Sequence, residues 1–236
     1  MLILPFYGEK GAPVQIKLAL AIMITVIVFP LISVDASLLR SVTFLGTSIL
    51  LIQSLLVGLL IGFIPVLLFT GFQLGGEIAG FNIGFAIVSV VDPLSESRIS
   101  LIAQFNYIIA ILVFISINGH FYLLEGVVKS FQVMPLIGST FPEIAGQMLL
   151  QTSANIFVIG MKIAAPVLVA ILLTNTGLGI LARTIPQLNI FIIGFPLQIS
   201  VGLITLGLSI PTFVFLFEKT FKAAYRDWLF FIKAFK

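Results

Sequence analysis

Few residues in this sequence could do chemistry, and none is spaced to do it. Cysteine is absent and His120 is the one histidine among 236 residues, so neither a thiolate zinc site nor an imidazole cluster can be built. His120 and Ser209 would have to act as an intramembrane protease dyad, yet Asn118, Gly119 and His120 read as a turn and Ser209 lies in an ordinary apolar run. Gly177, Gly179 and Ala182 imitate a dinucleotide fingerprint, but that chemistry needs a preceding strand and an acidic residue about 20 positions on, and neither is present. No HExxH and no Walker-type phosphate loop occurs. The sequence predicts a protein that is not an enzyme and that holds no metal and no cofactor.

The elements that position these residues are apolar helices. Hydrophobic residues make up 60% of the chain and charged residues only 9%, where a soluble domain carries about 25% charged. Twelve basic and nine acidic residues give a net charge of +3. That balance reflects scarcity of charge, not a basic face for nucleic acid. Windows 41–76, 78–91, 99–124, 144–161, 163–182 and 184–217 contain no Asp, Glu, Lys or Arg. Lipid admits only helices or closed barrels, and these runs are too continuous for barrel strands. The expected fold is all-α: a polytopic membrane protein of long, Pro/Gly-broken helical hairpins, in one membrane-embedded domain over 1–236. Pro65, Pro196 and Pro211 are expected to bend the two longest runs, 42–72 and 188–217. Polar connectors are expected at 33–40, 92–97, 134–146 and 175–186, and 78–91 reads as re-entrant or loop-like. No cleaved signal peptide is expected in 1–13.

Lys219, Lys222, Arg226, Lys233 and Lys236 are five of the twelve basic residues and fall within the last 18 positions. The excess of positive charge predicts a cytoplasmic tail over 219–236. Tyr225 and Trp228 among those charges fit either a helix at the membrane surface, with aromatics at headgroup level, or a plain stop-transfer tail. Glycine recurs at four-residue intervals as 71/75 and 76/80/84. On a helix these positions are expected along one slowly drifting face, which permits close helix contact or, alternatively, makes a pliable element that lines and closes a passage, with Phe81 and Phe85 as bulk. Glu77, Glu125, Lys129, Lys162 and Arg183 lie within or beside apolar stretches and are candidates for internal pairing. Glu125 and Lys129, four apart in the favourable order, predict an ordinary helical pair.

A colinear series resembles the FliR family of flagellar biosynthesis proteins, to which a component of virulence type III secretion systems is related. It comprises Lys17 to Thr25, Gly76-Glu77-Ile78-Ala79-Gly80-Phe81-Asn82-Ile83-Gly84-Phe85, Val91-Asp92-Pro93 and Asn118-Gly119-His120. It continues through Ser130-Phe131 with Pro135, Arg183-Thr184-Ile185-Pro186-Gln187-Leu188-Asn189-Ile190-Phe191, and Gly194-Phe195-Pro196 through Gly202. The family's further apolar helix ahead of the stretch 4–13 is not in this sequence.

The resemblance implies a core subunit of the flagellar export gate in the bacterial inner membrane, within the flagellar basal body. Its implied partners are FliP-type and FliQ-type subunits in a helical assembly, an FlhB-type subunit on the cytoplasmic side, unfolded flagellar subunits in transit, and lipid. It also implies a channel plug over 80–91, with Gly80, Phe81, Gly84, Phe85, Val88 and Val91 in it and Asp92-Pro93 ending it. Glu77, Lys162, Arg183, Gln187 and Asn189 are expected to make structural or inter-subunit polar contacts. The competing function is a small-solute secondary transporter, suggested by Pro-broken helices and the intramembrane Lys162 and Glu77.

Overall fold

The computed structural model describes residues 13–31, 44–84, 100–133, 143–187 and 189–234, and every regular element among them is a helix. Helix α1 (Val14–Val28) starts directly after Pro13, whose carbonyl accepts from Ile16 N at 3.0 Å, and a 3-10 turn at Phe29–Leu31 follows it. The remaining helices are α2 (Phe44–Ile83), α3 (Leu101–Ser116), α4 (Gly119–Val133), α5 (Glu143–Thr184) and α6 (Ile190–Ala234). The all-α architecture is as expected.

Its breaks are not where proline placed them. Pro65 lies inside α2, and Pro196 and Pro211 inside α6, without ending either helix; Pro166 lies likewise inside α5. Each proline frees one carbonyl, and a long apolar helix absorbs this when its other bonds and its neighbours hold. The sharp bend falls instead at Asn118–Gly119, where α3 and α4 meet at 70°. Asn118 has φ 56, so the turn read there is present. The connector expected over 175–186 is helical as far as Thr184. Its threonines are satisfied inside the helix, because Thr174, Thr176 and Thr184 donate to Ala170, Leu172 and Ile180 carbonyls at 2.8, 2.8 and 2.9 Å. The helix likewise claims 143–146, while the connectors expected at 33–40 and 92–97 lie outside the described residues.

Among the described residues, three helices are long and apolar enough to cross a membrane, over Gly62–Ile83, Leu149–Thr184 and Ile192–Phe230; the bent pair α3 and α4 makes a fourth if counted as one span. Large apolar side chains face outward along them, such as Phe157 at 70% and Leu208 at 77% exposed. Such a surface requires lipid or other protein around it.

Contacts divide the chain into two compact units. In the unit of Phe69–Val113 and Ala154–Lys219, the rings of Phe69, Phe72, Tyr107 and Phe217 pack edge to face, with Phe69–Phe217 at 5.4 Å and Phe72–Phe217 at 4.9 Å. In the unit of Met1–Leu68, Phe114–Ser153 and Thr220–Lys236, the end of α6 packs on α4. There Trp228 is buried against α4. It is 2% exposed, seated where Gly126 has no side chain, so that an added Cβ would collide with the indole. Glu125 and Lys129 form the expected pair at 2.6 Å.

Candidate functional site

The last turns of α2 lie at the centre of the Phe69–Val113 and Ala154–Lys219 unit, and glycine decides how closely their neighbours approach. The two glycine rows face different helices. Gly71 and Gly75 face α5, where a Cβ on Gly75 would stand 2.7 Å from Ile163 Cβ and 2.9 Å from the Gly160 carbonyl oxygen. Gly160 returns the contact: a Cβ there would lie 3.1 Å from Leu74. Gly76 and Gly80 face α3, with the Gly76 position 2.6 Å from Ala103 Cα and 2.8 Å from the Ile102 carbonyl oxygen, and the Gly80 position on Ser100 Oγ. At Gly75 and Gly76 the close neighbours include backbone atoms, so a side chain there would force the helices apart. On α6, Gly202 receives Ile83, which is fully buried.

Helix α2 ends at Ile83. Gly84 has φ 104, a conformation that L side chains rarely adopt, and its N–H donates to the Phe81 carbonyl at 3.2 Å. The chain leaves the described structure at Gly84 and re-enters at Ser100, the residue lying over Gly80. Gly80 and Phe81 are therefore helical residues, not loop, which corrects the expectation for that part of 80–91. Gly80 is buried, while Phe81 is 71% exposed on the same face as the exposed Glu77. Phe85, Val88, Val91, Asp92 and Pro93 lie outside the described residues. The left-handed turn belongs to Gly84; Gly76 and Gly80 serve close approach.

Of the polar residues, Arg183, Gln187 and Asn189 come together at the short connection between α5 and α6, and all three are exposed. Arg183 is in the last turn of α5, where a cation complements the helix C-terminus. The Asn189 carbonyl accepts from Ile192 N at 3.0 Å and opens α6. Nearby, Gln198 Nε2 of α6 donates to Asn175 Oδ1 of α5. Glu77 and Lys162 are exposed, and among the described residues no ion pair joins them.

Sequence reasoning missed Ser100 and Gly160, and it gave no packing role to Gly202 or Phe195, the last of which stands 3.6 Å from the Cβ position of Gly84. Gly160 and Gly202 were visible as lone glycines in apolar runs, but their partners are more than 80 residues away for α5 and more than 110 for α6. No local pattern carries such pairings. No group of three or more His, Cys, Asp or Glu that could hold a metal occurs among the described residues.

This long-helix, charge-poor architecture is that of a membrane-embedded export component, and residues 1–224 match the bacterial export proteins, family 1, to which the chain belongs. Within that class it is a FliR-type component of flagellar biosynthesis and protein export. It is 32% identical over 207 residues to the flagellar biosynthetic protein FliR of Pectobacterium carotovorum subsp. carotovorum, covering 88% of this chain and 78% of the relative. The FliR proteins of Bacillus subtilis (strain 168) and Escherichia coli (strain K12) are each 33% identical, covering 86% and 88% of this chain and 78% of each relative.

Proposed function

We propose that this chain is a non-enzymatic core subunit of the flagellar type III export gate, which lines the passage for unfolded flagellar subunits and plugs it at rest. The observation that carries this reading is the neck at Gly80 and Ser100. A helix end gripped by three others, and a left-handed glycine at its tip, supply a fixed base from which the stretch 85–99 departs and to which it returns. A plug needs such a base, because an anchored segment keeps its position when the remainder is displaced. Phe85, Val88 and Val91 supply the apolar bulk of the plug, and Asp92-Pro93 ends it.

In this proposal FliP-type and FliQ-type chains cover the exposed apolar faces, an FlhB-type chain docks on the cytoplasmic side, and Arg183, Gln187 and Asn189 make hydrogen bonds across a subunit boundary. The gate sits in the inner membrane within the basal body, with the tail cytoplasmic by its positive charge. Deleting residues 86–97 keeps Gly84 and Ser100 and removes the plug. The cell membrane should then leak small solutes when the partner chains are co-expressed. A tight membrane around a fully assembled complex would sink the plug reading. Arg183→Ala should reduce the yield of copurified partner chains, and an unchanged yield argues against its role at a boundary.

A further inference from the structure

The break between α3 and α4 carries no proline. Helices α3 and α4 meet at 70° across Ile117 and Asn118, whereas Pro65, Pro166, Pro196 and Pro211 all lie in uninterrupted helices. No residue between Ile115 and Phe121 forbids a straight helix there. The bent state instead places Asn118 at φ 56, a left-handed conformation that costs free energy in any residue with a side chain. It also leaves a short ladder, with Asn118 N donating to Ile115 O at 2.9 Å and Phe121 N to Asn118 O at 3.0 Å. Packing must hold the bend.

The end of α6 supplies that packing. Phe221 stands edge-on to Phe114 at 5.5 Å and to Tyr122 at 6.0 Å, one ring on each side of the bend. One turn on, Tyr225 lies edge-on to Tyr122 at 4.9 Å, and its hydroxyl donates to Glu125 Oε2 at 2.8 Å. The other oxygen of that carboxylate pairs with Lys129 at 2.6 Å. Trp228 then fills the notch at Gly126. Positions 221, 225 and 228 form one helix face. We infer that α3 and α4 form a two-state hinge, and that this face of α6 is the clasp that selects the bent state; released, the two helices join into one. The match to the export family ends at residue 224, so Tyr225 and Trp228 lie beyond the matched residues.

The full chain tests this directly, because Trp228 is the only tryptophan and no cysteine interferes with labelling. Nitroxides on Ile108→Cys and Phe131→Cys report the angle, and straightening should lengthen their separation by about 6 Å at 1.5 Å rise per residue. Phe221→Ala should populate the longer distance, and Tyr225→Phe, which keeps the ring and removes one hydrogen bond, should populate it less. From the other side, Asn118→Ala with Gly119→Ala should also lengthen the distance, since a methyl on Gly119 meets the Phe114 ring in the bent state. Coupling is reciprocal, so the hinge pair must also shift Trp228 emission to the red. An unchanged distance in Phe221→Ala, or a longer distance in the hinge variant with Trp228 emission unmoved, overturns the inference. If Phe221→Ala does not fold, Tyr225→Phe and the hinge variant decide it by the same two readouts.

Discussion

The described glycines differ in what a methyl group would meet. At Gly76 it would meet the backbone of Ala103 and Ile102 at 2.6 and 2.8 Å, which cannot rotate away. At Gly58 and Gly207 it would meet nothing within 4 Å. Alanine improves helix propensity by about 1 kcal/mol at either kind of position, so packing alone decides the sign. Gly76→Ala should destabilise the purified chain by roughly 1–3 kcal/mol, the usual scale for overpacking, and Gly58→Ala should stabilise it by up to about 1 kcal/mol. Denaturant unfolding of the detergent-solubilised chain, followed by helical circular dichroism, measures both. Equal effects at the two sites would show that the close α2–α3 approach is not what Gly76 provides. Gly84 is a third case, since its φ of 104 makes any side chain strained whatever the space.

At the scale of the helix, the outcome at each proline depends on the surroundings of the freed carbonyl, and this is where sequence reading reached its limit. The charge-free windows revealed the helices, and the four-residue glycine spacing revealed close helix contact, because both are properties of consecutive residues; that Gly71 and Gly75 turn to α5 while Gly76 and Gly80 turn to α3 was not legible, since the spacing reads as one slowly drifting face. Asn118-Gly119 was legible as a turn for the same reason, as asparagine and glycine tolerate positive φ. The continuity of α2 and α6 through proline was not legible, since it depends on packing by residues far away in the chain. The neck at Gly80 and Ser100, and the Trp228 seat on Gly126, are likewise non-local contacts. If α6 is continuous through Pro196, then Pro196→Ala should restore the hydrogen bond to the Ile192 carbonyl without altering the helix path. Its stabilisation should be positive and at most about 3 kcal/mol, seen as a higher Tm of the purified chain with unchanged helical content. A lower Tm would mean that α6 needs the kink.

At the scale of the whole molecule, length decides what surrounds the chain. Helix α5 has 42 residues and α6 has 45, or about 63 and 68 Å at 1.5 Å per residue, against roughly 30 Å of hydrocarbon. Leu150 and Ile180 are 74% and 64% exposed, yet about 45 Å of helix separates them. Holding both in one hydrocarbon core would need a tilt near 48°, beyond the range of about 0–40° that membrane helices adopt. One end of α5 then falls outside the hydrocarbon core, and in the proposed gate a neighbouring chain covers it. Single cysteines at Leu150 and Ile180, introduced into this cysteine-free chain, should locate that end. In lipid nanodiscs without partner chains, one of the two should react with a membrane-impermeant maleimide, and co-expression with the partner subunits should protect it several-fold. Reactivity that persists in the assembled complex would mean that the overlong apolar surface faces water, and the reading of this chain as a wall element enclosed by neighbours would fail with it.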